Sequence, residues 1–256
     1  MINYGHYIGG KKVAGTSGRH GDVYQPMDGT VRAKVALASK AEVRGAVENA
    51  KAAQPGWAAM NPQRRARILM KFIDLIAKNN EELADILARE HGKTIADARG
   101  DIQRGVEVVE FSLGAPHLLK GEFTDNAGPG IDTYSMRQPL GVVAGITPFN
   151  FPAMIPMWKL GPAISCGNAF ILKPSERDPG VPLRLAELFV EAGGPPGILN
   201  VVNGDKEAVD AILDDPDIKA VGFVGSTPIA EYIYGRGCAS GKRVQCFGGA
   251  KNHMVV

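Results

Sequence analysis

A chain of 256 residues, 45% of them hydrophobic, can bury a sizeable core as one large domain or as a main domain with an appendage. Its 29 Lys and Arg against 27 Asp and Glu leave a net charge of +2, which gives no electrostatic case for a nucleic acid or an anionic membrane as partner. Cys166, Cys238 and Cys246 form no C-x-x-C pair and suit a reducing cytosol; the five scattered histidines lack metal-ligand spacing.

Residues 1–120 read mostly as helix. Ser39 with Glu42 forms a capping-box pattern ahead of Val43, Ala46, Val47, Ala50 and Ala53 at helical spacing. Asn61-Pro62 opens a second helix with Ile68, Leu69, Phe72, Ile73 and Ile76 on one face. Asn80 is expected to cap a third helix ended by Gly92, and a fourth is expected from Thr94 to Leu119. Residues 121–140 then turn to hairpin chemistry, with Asp125-Asn126-Ala127-Gly128-Pro129-Gly130 as the turn, and its open edges suit contact between subunits.

Residues 141–256 alternate apolar runs with helical patterns. Strands are predicted at Val142 to Ile146, Ala169 to Leu172, Leu199 to Val202, Ala220 to Val224, Arg243 to Phe247 and His253 to Val256. Helices are predicted near Ala153 to Cys166, Pro179 to Ala192, Lys206 to Leu213 and Pro228 to Arg236. The alternation predicts an α/β fold, a doubly wound parallel sheet with helices on both faces. No charge occurs between Arg137 and Lys159, but Pro139, Pro148, Asn150, Pro152 and Pro156 make that stretch a poor membrane helix. The N-terminus carries no secretion or import signal.

Chemistry concentrates at strand ends. Asn150 is a neutral amide that either closes a turn between prolines or donates to a developing oxyanion. Lys173 and Glu176 follow a strand, where open α/β sheets hold their ligands, or form a surface ion pair. Gly225-Ser226-Thr227-Pro228 opens a helix and suits a cap, a phosphate contact, or both, although no G-x-G-x-x-G fingerprint is present. Gly92-Lys93-Thr94 imitates the end of a P-loop, but Leu87 stands where the earlier Gly is required.

Gly145-Ile146-Thr147-Pro148-Phe149-Asn150-Phe151-Pro152 with Phe170-Ile171-Leu172-Lys173-Pro174-Ser175-Glu176 resembles the aldehyde dehydrogenase superfamily. The run from Asn203 to Val256 narrows the resemblance to its CoA-acylating methylmalonate-semialdehyde dehydrogenase branch. The resemblance implies a Rossmann-like NAD-binding core over 141–256, a helical part over 1–120 and an oligomerisation hairpin over 121–140. It implies Asn150 as the oxyanion donor. It also implies cofactor contacts from Ile146, Thr147, Pro148, Phe149, Lys173, Ser175, Glu176, Gly225, Ser226 and Gly248, with Glu176 favouring NAD over NADP. Arg104 matches a helix segment whose Arg meets the substrate carboxylate in semialdehyde-specific relatives; a surface role is the other reading.

Cys246 stands where hydrolytic relatives carry the Glu that activates water, so an incoming thiol, CoA, becomes the acyl acceptor. The family's Gly-Gln-x-Cys thiol segment does not occur in the chain, and none of the three cysteines has its context. The resemblance covers about the N-terminal half of a full enzyme. The chain alone is therefore expected to be inactive, to self-associate through apolar surface and, in the full enzyme, to work on malonate or methylmalonate semialdehyde in valine or inositol breakdown as a cytoplasmic homo-oligomer; the other reading is a stand-alone NAD-binding or subunit-interaction fragment without catalysis.

Overall fold

The computed structural model describes residues 2–251 and 253–256. Five short strands come first: β1 (Ile2–Tyr4), β2 (His6–Ile8), β3 (Lys11–Val13), β4 (His20–Gln25) and β5 (Thr30–Ala36). They occupy part of the segment read as mostly helical. Their brevity and polar composition hide them, since β1 and β3 bury almost nothing and β2 is held by distant groups. The Gly9 N–H donates to Asn200 Oδ1 at 2.9 Å, and Asn203 Nδ2 donates to the Gly5 carbonyl at 2.6 Å.

Helices α1 (Lys40–Ala59), α2 (Pro62–Lys78), α3 (Asn80–His91), α4 (Ile95–Ser112) and α5 (Ala115–Leu118) follow. Both halves of the Ser39/Glu42 capping box form, and Asn61 Oδ1 accepts the Gln63 N–H ahead of Pro62. The cap position of α3 falls on Asn79 rather than Asn80, and Gly92 ends it at φ 86°. The single helix expected to Leu119 breaks at Leu113 and Gly114, because Pro116 fits only the first turn of a new helix.

The hairpin pairs β6 (Phe123–Gly128) with β7 (Ile131–Tyr134) around Pro129 and Gly130, so its first strand runs through most of the predicted turn. The core then alternates β8 (Val142–Ile146), α6 (Met154–Ser165), β9 (Ala169–Lys173), α7 (Gly180–Glu191), β10 (Leu199–Val201), α8 (Lys206–Asp214), β11 (Ile218–Val224), α9 (Thr227–Ala239) and β12 (Arg243–Phe247). The strand expected at 253–256 is not formed: those residues are exposed and pair with nothing among the described residues.

The main sheet has the order β12-β11-β8-β9-β10-β2-β3, the first five strands parallel and the last two antiparallel additions. Strands β8 and β9 are buried throughout, as parallel strands covered on both sides are. The Lys159 side chain of α6 lies over Gly145 and Gly222, whereas Gly237 of α9 meets Val244, whose side chain points to the opposite pleat face from Gln245, the partner of Gly222. On the α9 side, α8 packs against both α1 and α9.

His6 on β2 is 1% exposed; its Nδ1 accepts the Asn203 N–H at 3.2 Å and its Nε2 lies 3.5 Å from Glu42 Oε1. Burial pushes its pKa below 6.5, more than Glu42 pulls it up. The folded chain then binds fewer protons than the unfolded one just below pH 6.5, so stability falls as the pH drops through that window. Glu42 titrates lower: burial raises it, but hydrogen bonds from Ser39 and Thr16 hold it at about 2. The urea midpoint is expected to fall between pH 7 and 5.5, and His6→Gln to flatten that slope; an unchanged slope in the variant would contradict this assignment.

Candidate functional site at the carboxyl edge of the sheet

From β8 the chain winds through β9 to β10 on one side, then returns to place β11 and β12 on the other. The reversal opens a crevice between the carboxyl ends of β8 and β11, the place where doubly wound sheets bind ligands. Ile146 and Thr147 leave β8 on one flank; Gly225 and Ser226 leave β11 on the other, and Lys173 ends β9 alongside. Ile146, Thr147, Lys173, Gly225 and Ser226 are thereby brought to one edge of one sheet, whereas Arg104 lies on α4.

Their surroundings differ. The Thr147 N–H donates to the Lys173 carbonyl at 3.1 Å, tying the two strand ends together, while the buried Thr147 Oγ1 has no hydrogen-bond partner among the described residues. Lys173 is 6% exposed, so the surface ion-pair reading fails for it; its Nζ meets Glu176 Oε2 at 3.2 Å, and Glu176 is the half-exposed member. Burial pushes the Lys173 amine below its ordinary pKa, and Glu176 pulls it back. Ser175 is buried and its Oγ accepts the Arg177 N–H at 3.1 Å, which shapes the turn that aims Glu176.

Ser226 occupies the N-cap position of α9, yet its side chain makes no capping bond and remains exposed. The first turn of α9 therefore offers unsatisfied N–H groups and a free hydroxyl, the arrangement that receives anions. The Gly225 N–H donates to the Phe247 carbonyl at 3.0 Å, and a Cβ on Gly225 would come within 2.3 Å of the Phe223 ring. Gly248 lies on the Thr227 backbone, where a Cβ would stand 3.1 Å from Thr227 Cα, so close packing of the loop after β12 already explains this glycine.

The loop carrying Pro148, Phe149 and Asn150 is braced from three directions. Phe149 stacks on His91 with centroids 6.3 Å apart, and Arg177 covers its ring at 4.9 Å. Lys93 sits 3.9 Å above Phe151 and pairs with Asp101 at 2.8 Å, while Asp101 also accepts the Met154 N–H at 2.7 Å. The Asp101 carboxylate thus supplies the cap that Ala153 lacks and complements the dipole of α6. Asn150 is left exposed, with no hydrogen bond to its amide among the described residues. Arg104 lies one turn after Asp101 on α4; its carbonyl accepts the Trp158 indole N–H at 2.9 Å and its guanidinium meets no carboxylate among the described residues.

Cys246 is partly buried on β12, and burial raises its thiol pKa against the pull of Lys159, as for an unreactive thiol. Two groups escaped the sequence reading. Asp178 is 2% exposed, and burial, followed by Glu90, drives its pKa well up against the pull of Ser175. Lys159 lies in a trough on the α6 side of the sheet; the one signal for it was a lone charge closing a long apolar stretch. No group of three or more His, Cys, Asp or Glu among the described residues could hold a metal ion, and none of their helices is long and apolar enough to cross a membrane.

Residues 13–256 match the sequence profile of the aldehyde dehydrogenase family. The chain belongs to this family. It is 54% identical to the malonate-semialdehyde dehydrogenase of Pseudomonas aeruginosa over 98% of its own length, and 51% identical to malonate-semialdehyde dehydrogenase 1 of Geobacillus kaustophilus over the same share. Those matches take in 50% and 51% of the two relatives, so this aldehyde dehydrogenase chain spans about half their length. A Sinorhizobium meliloti protein assigned as a methylmalonate-semialdehyde dehydrogenase and crystallised with NAD superposes with a TM-score of 0.98 at 69% identity. The methylmalonate-semialdehyde dehydrogenase of Oceanimonas doudoroffii gives 0.97 at 52%. Each superposition covers 99% of this chain and 52% of the other.

Proposed function

We propose that this chain is the dinucleotide-binding half of an NAD-dependent, CoA-acylating malonate or methylmalonate-semialdehyde dehydrogenase. The observation that carries the reading is the convergence of the β8, β9 and β11 ends at one crevice with unspent polar groups: Thr147 Oγ1, the Lys173/Glu176 pair and the uncapped start of α9. These fit NAD. Glu176 accepts from the ribose hydroxyls and, as an anion, disfavours a 2′-phosphate. Ser226 and the first N–H groups of α9 take the pyrophosphate. NAD, when bound, supplies the hydride acceptor.

The chain's own residues do the rest of its share. Asn150 donates its amide to the oxyanion formed when a thiolate from outside these 256 residues adds to the aldehyde. Arg104, whose guanidinium meets no carboxylate among the described residues, receives the carboxylate that distinguishes a semialdehyde from a simple aldehyde. With Cys246 in place of a general base, water is a poor acceptor for the acyl group and the CoA thiol takes it, carbon dioxide being lost. Phe123, Ile131, Tyr134 and Met136 on and beside the hairpin are 57–70% exposed, and a second copy of the chain covers them. The chain alone is expected to form no NADH from malonate semialdehyde and CoA, and the chain joined to the remaining half of the P. aeruginosa relative is expected to do so. Turnover by the chain alone, or none by the joined protein, would overturn the proposal.

A further inference from the structure

Asn150 is exposed and makes no hydrogen bond through its amide among the described residues, so its neighbours in the chain set its place. After it, the Phe151 carbonyl accepts the Ile155 N–H at 3.2 Å, which joins the loop to the first turn of α6. The cap position of that helix is Ala153, whose side chain cannot cap; the Met154 N–H goes instead to Asp101 Oδ1 of α4 at 2.7 Å. The second oxygen, Oδ2, lies 2.8 Å from Lys93 Nζ, and that Nζ sits 3.9 Å from the centre of the Phe151 ring. Asp101 therefore reaches the residue after Asn150 by two routes, through the start of α6 and through a cation on the ring.

The Asp101 side chain is wholly out of water. A buried carboxylate is costly unless its oxygens are partnered, and Ser, Thr or Asn at position 153 would cap α6 without that cost. What Asp101 adds is a tie between elements. Helices α4 and α6 lie so close that a Cβ on Gly105 would stand 3.1 Å from Met154 Cα, and the Arg104 carbonyl takes the Trp158 indole N–H at 2.9 Å. Asp101, Arg104 and Gly105 are neighbours on the surface of α4 and together fix the start of α6 against it.

We propose that Asp101 is a positioning residue for Asn150: through the Met154 N–H and through Lys93 it holds the loop, and with it the amide, where the amide donates to the oxyanion. Asp101 touches no reacting atom. The proposal rests on the reading of Asn150 as the oxyanion donor.

Hydrogen–deuterium exchange of the 256-residue chain reads the loop, and turnover of the joined protein reads the consequence. Asp101→Asn keeps an acceptor for Met154 but gives up the charge opposite Lys93; Lys93→Met gives up the cation over Phe151. Each is expected to speed exchange at 149–155 by about 10-fold or more, as for the loss of a hydrogen bond to a charged group, with 199–203 unchanged. Lys93→Arg keeps the charge and is expected to leave that exchange slow. In the joined protein Asp101→Asn is expected to lower kcat by about 10- to 100-fold with KM little changed, the pattern of a group that acts in the transition state and is misplaced. Unchanged exchange at 149–155 in both Asp101→Asn and Lys93→Met would overturn the proposal, as would an unchanged kcat in Asp101→Asn where Asn150→Ala loses it. If Asp101→Asn loses protection throughout the sheet, Lys93→Met decides. A joined protein that keeps its full kcat in Asn150→Ala overturns the oxyanion reading, and the positioning role falls with it.

Discussion

Glu176→Ala is expected to weaken NAD binding by about 10- to 100-fold in calorimetry, the loss of hydrogen bonds between ribose hydroxyls and a charged acceptor worth about 1.5–3 kcal/mol. The effect belongs to binding and not to folding, because the Glu176 side chain is 43% exposed and its ion pair with Lys173 is half in water. The urea midpoint is expected to stay close to that of the unaltered chain. Glu176→Gln separates charge from shape: the amide still reaches the hydroxyls but no longer repels a 2′-phosphate, so the preference for NAD over NADP narrows. An unchanged NAD affinity in Glu176→Ala would remove the ribose role from this residue.

The largest effect on stability is expected from Phe189→Ala. Phe189 is fully buried on α7 and meets Trp57 of α1 and Phe72 of α2 edge-on, at 6.3 Å and 5.9 Å between ring centres. The ring also fills the space over Gly194, where a Cβ would come within 2.3 Å of it. One side chain therefore joins three helices, and Trp57 is fixed by its own N–H to the Ile164 carbonyl at 2.8 Å, so it cannot swing into the void. Large-to-small changes of this kind cost about 3–5 kcal/mol through lost transfer energy and the residual cavity. A loss below about 1 kcal/mol in urea unfolding would mean that the three helices collapse around the gap.

The parallel core was legible because its strands are buried on both faces and so read as unbroken apolar runs, as Val142 to Ile146 and Ala169 to Leu172 do. Among the helices, α1 announced itself most clearly, through the Ser39/Glu42 capping box and the apolar period that follows it. The strands of residues 2–36 were not legible. Strand β2 is held in the main sheet through its flanking Gly9 and Gly5, which bond to Asn200 and Asn203 far along the chain, and Lys11-Lys12-Val13 has no local pattern to read. The opposite error came at 253–256, where an apolar run met no partner strand.

The site divides in the same way. Lys173 and Gly225 could be placed at the carboxyl edge of the sheet from the order of elements, whereas Ile146 was singled out by the family resemblance. Residues whose character comes from packing could not be placed. Lys159 owes its environment to glycines on two different strands, and Asp178 owes its raised pKa to burial near Glu90. Lys93, dismissed as a phosphate ligand, braces Phe151 and Asp101 beneath the Asn150 loop, a part visible only once α3, α4 and α6 are in place.

Hydrogen–deuterium exchange of the 256-residue chain with and without NAD tests the central claim most directly, because it reports where the dinucleotide lies as well as whether it binds. Protection is expected in three segments together, 146–150, 173–177 and 224–229, with the hairpin at 123–134 unchanged. Protection confined to other parts of the chain, or none at saturating NAD in folded material, would contradict a cofactor lying across the β8/β11 crevice.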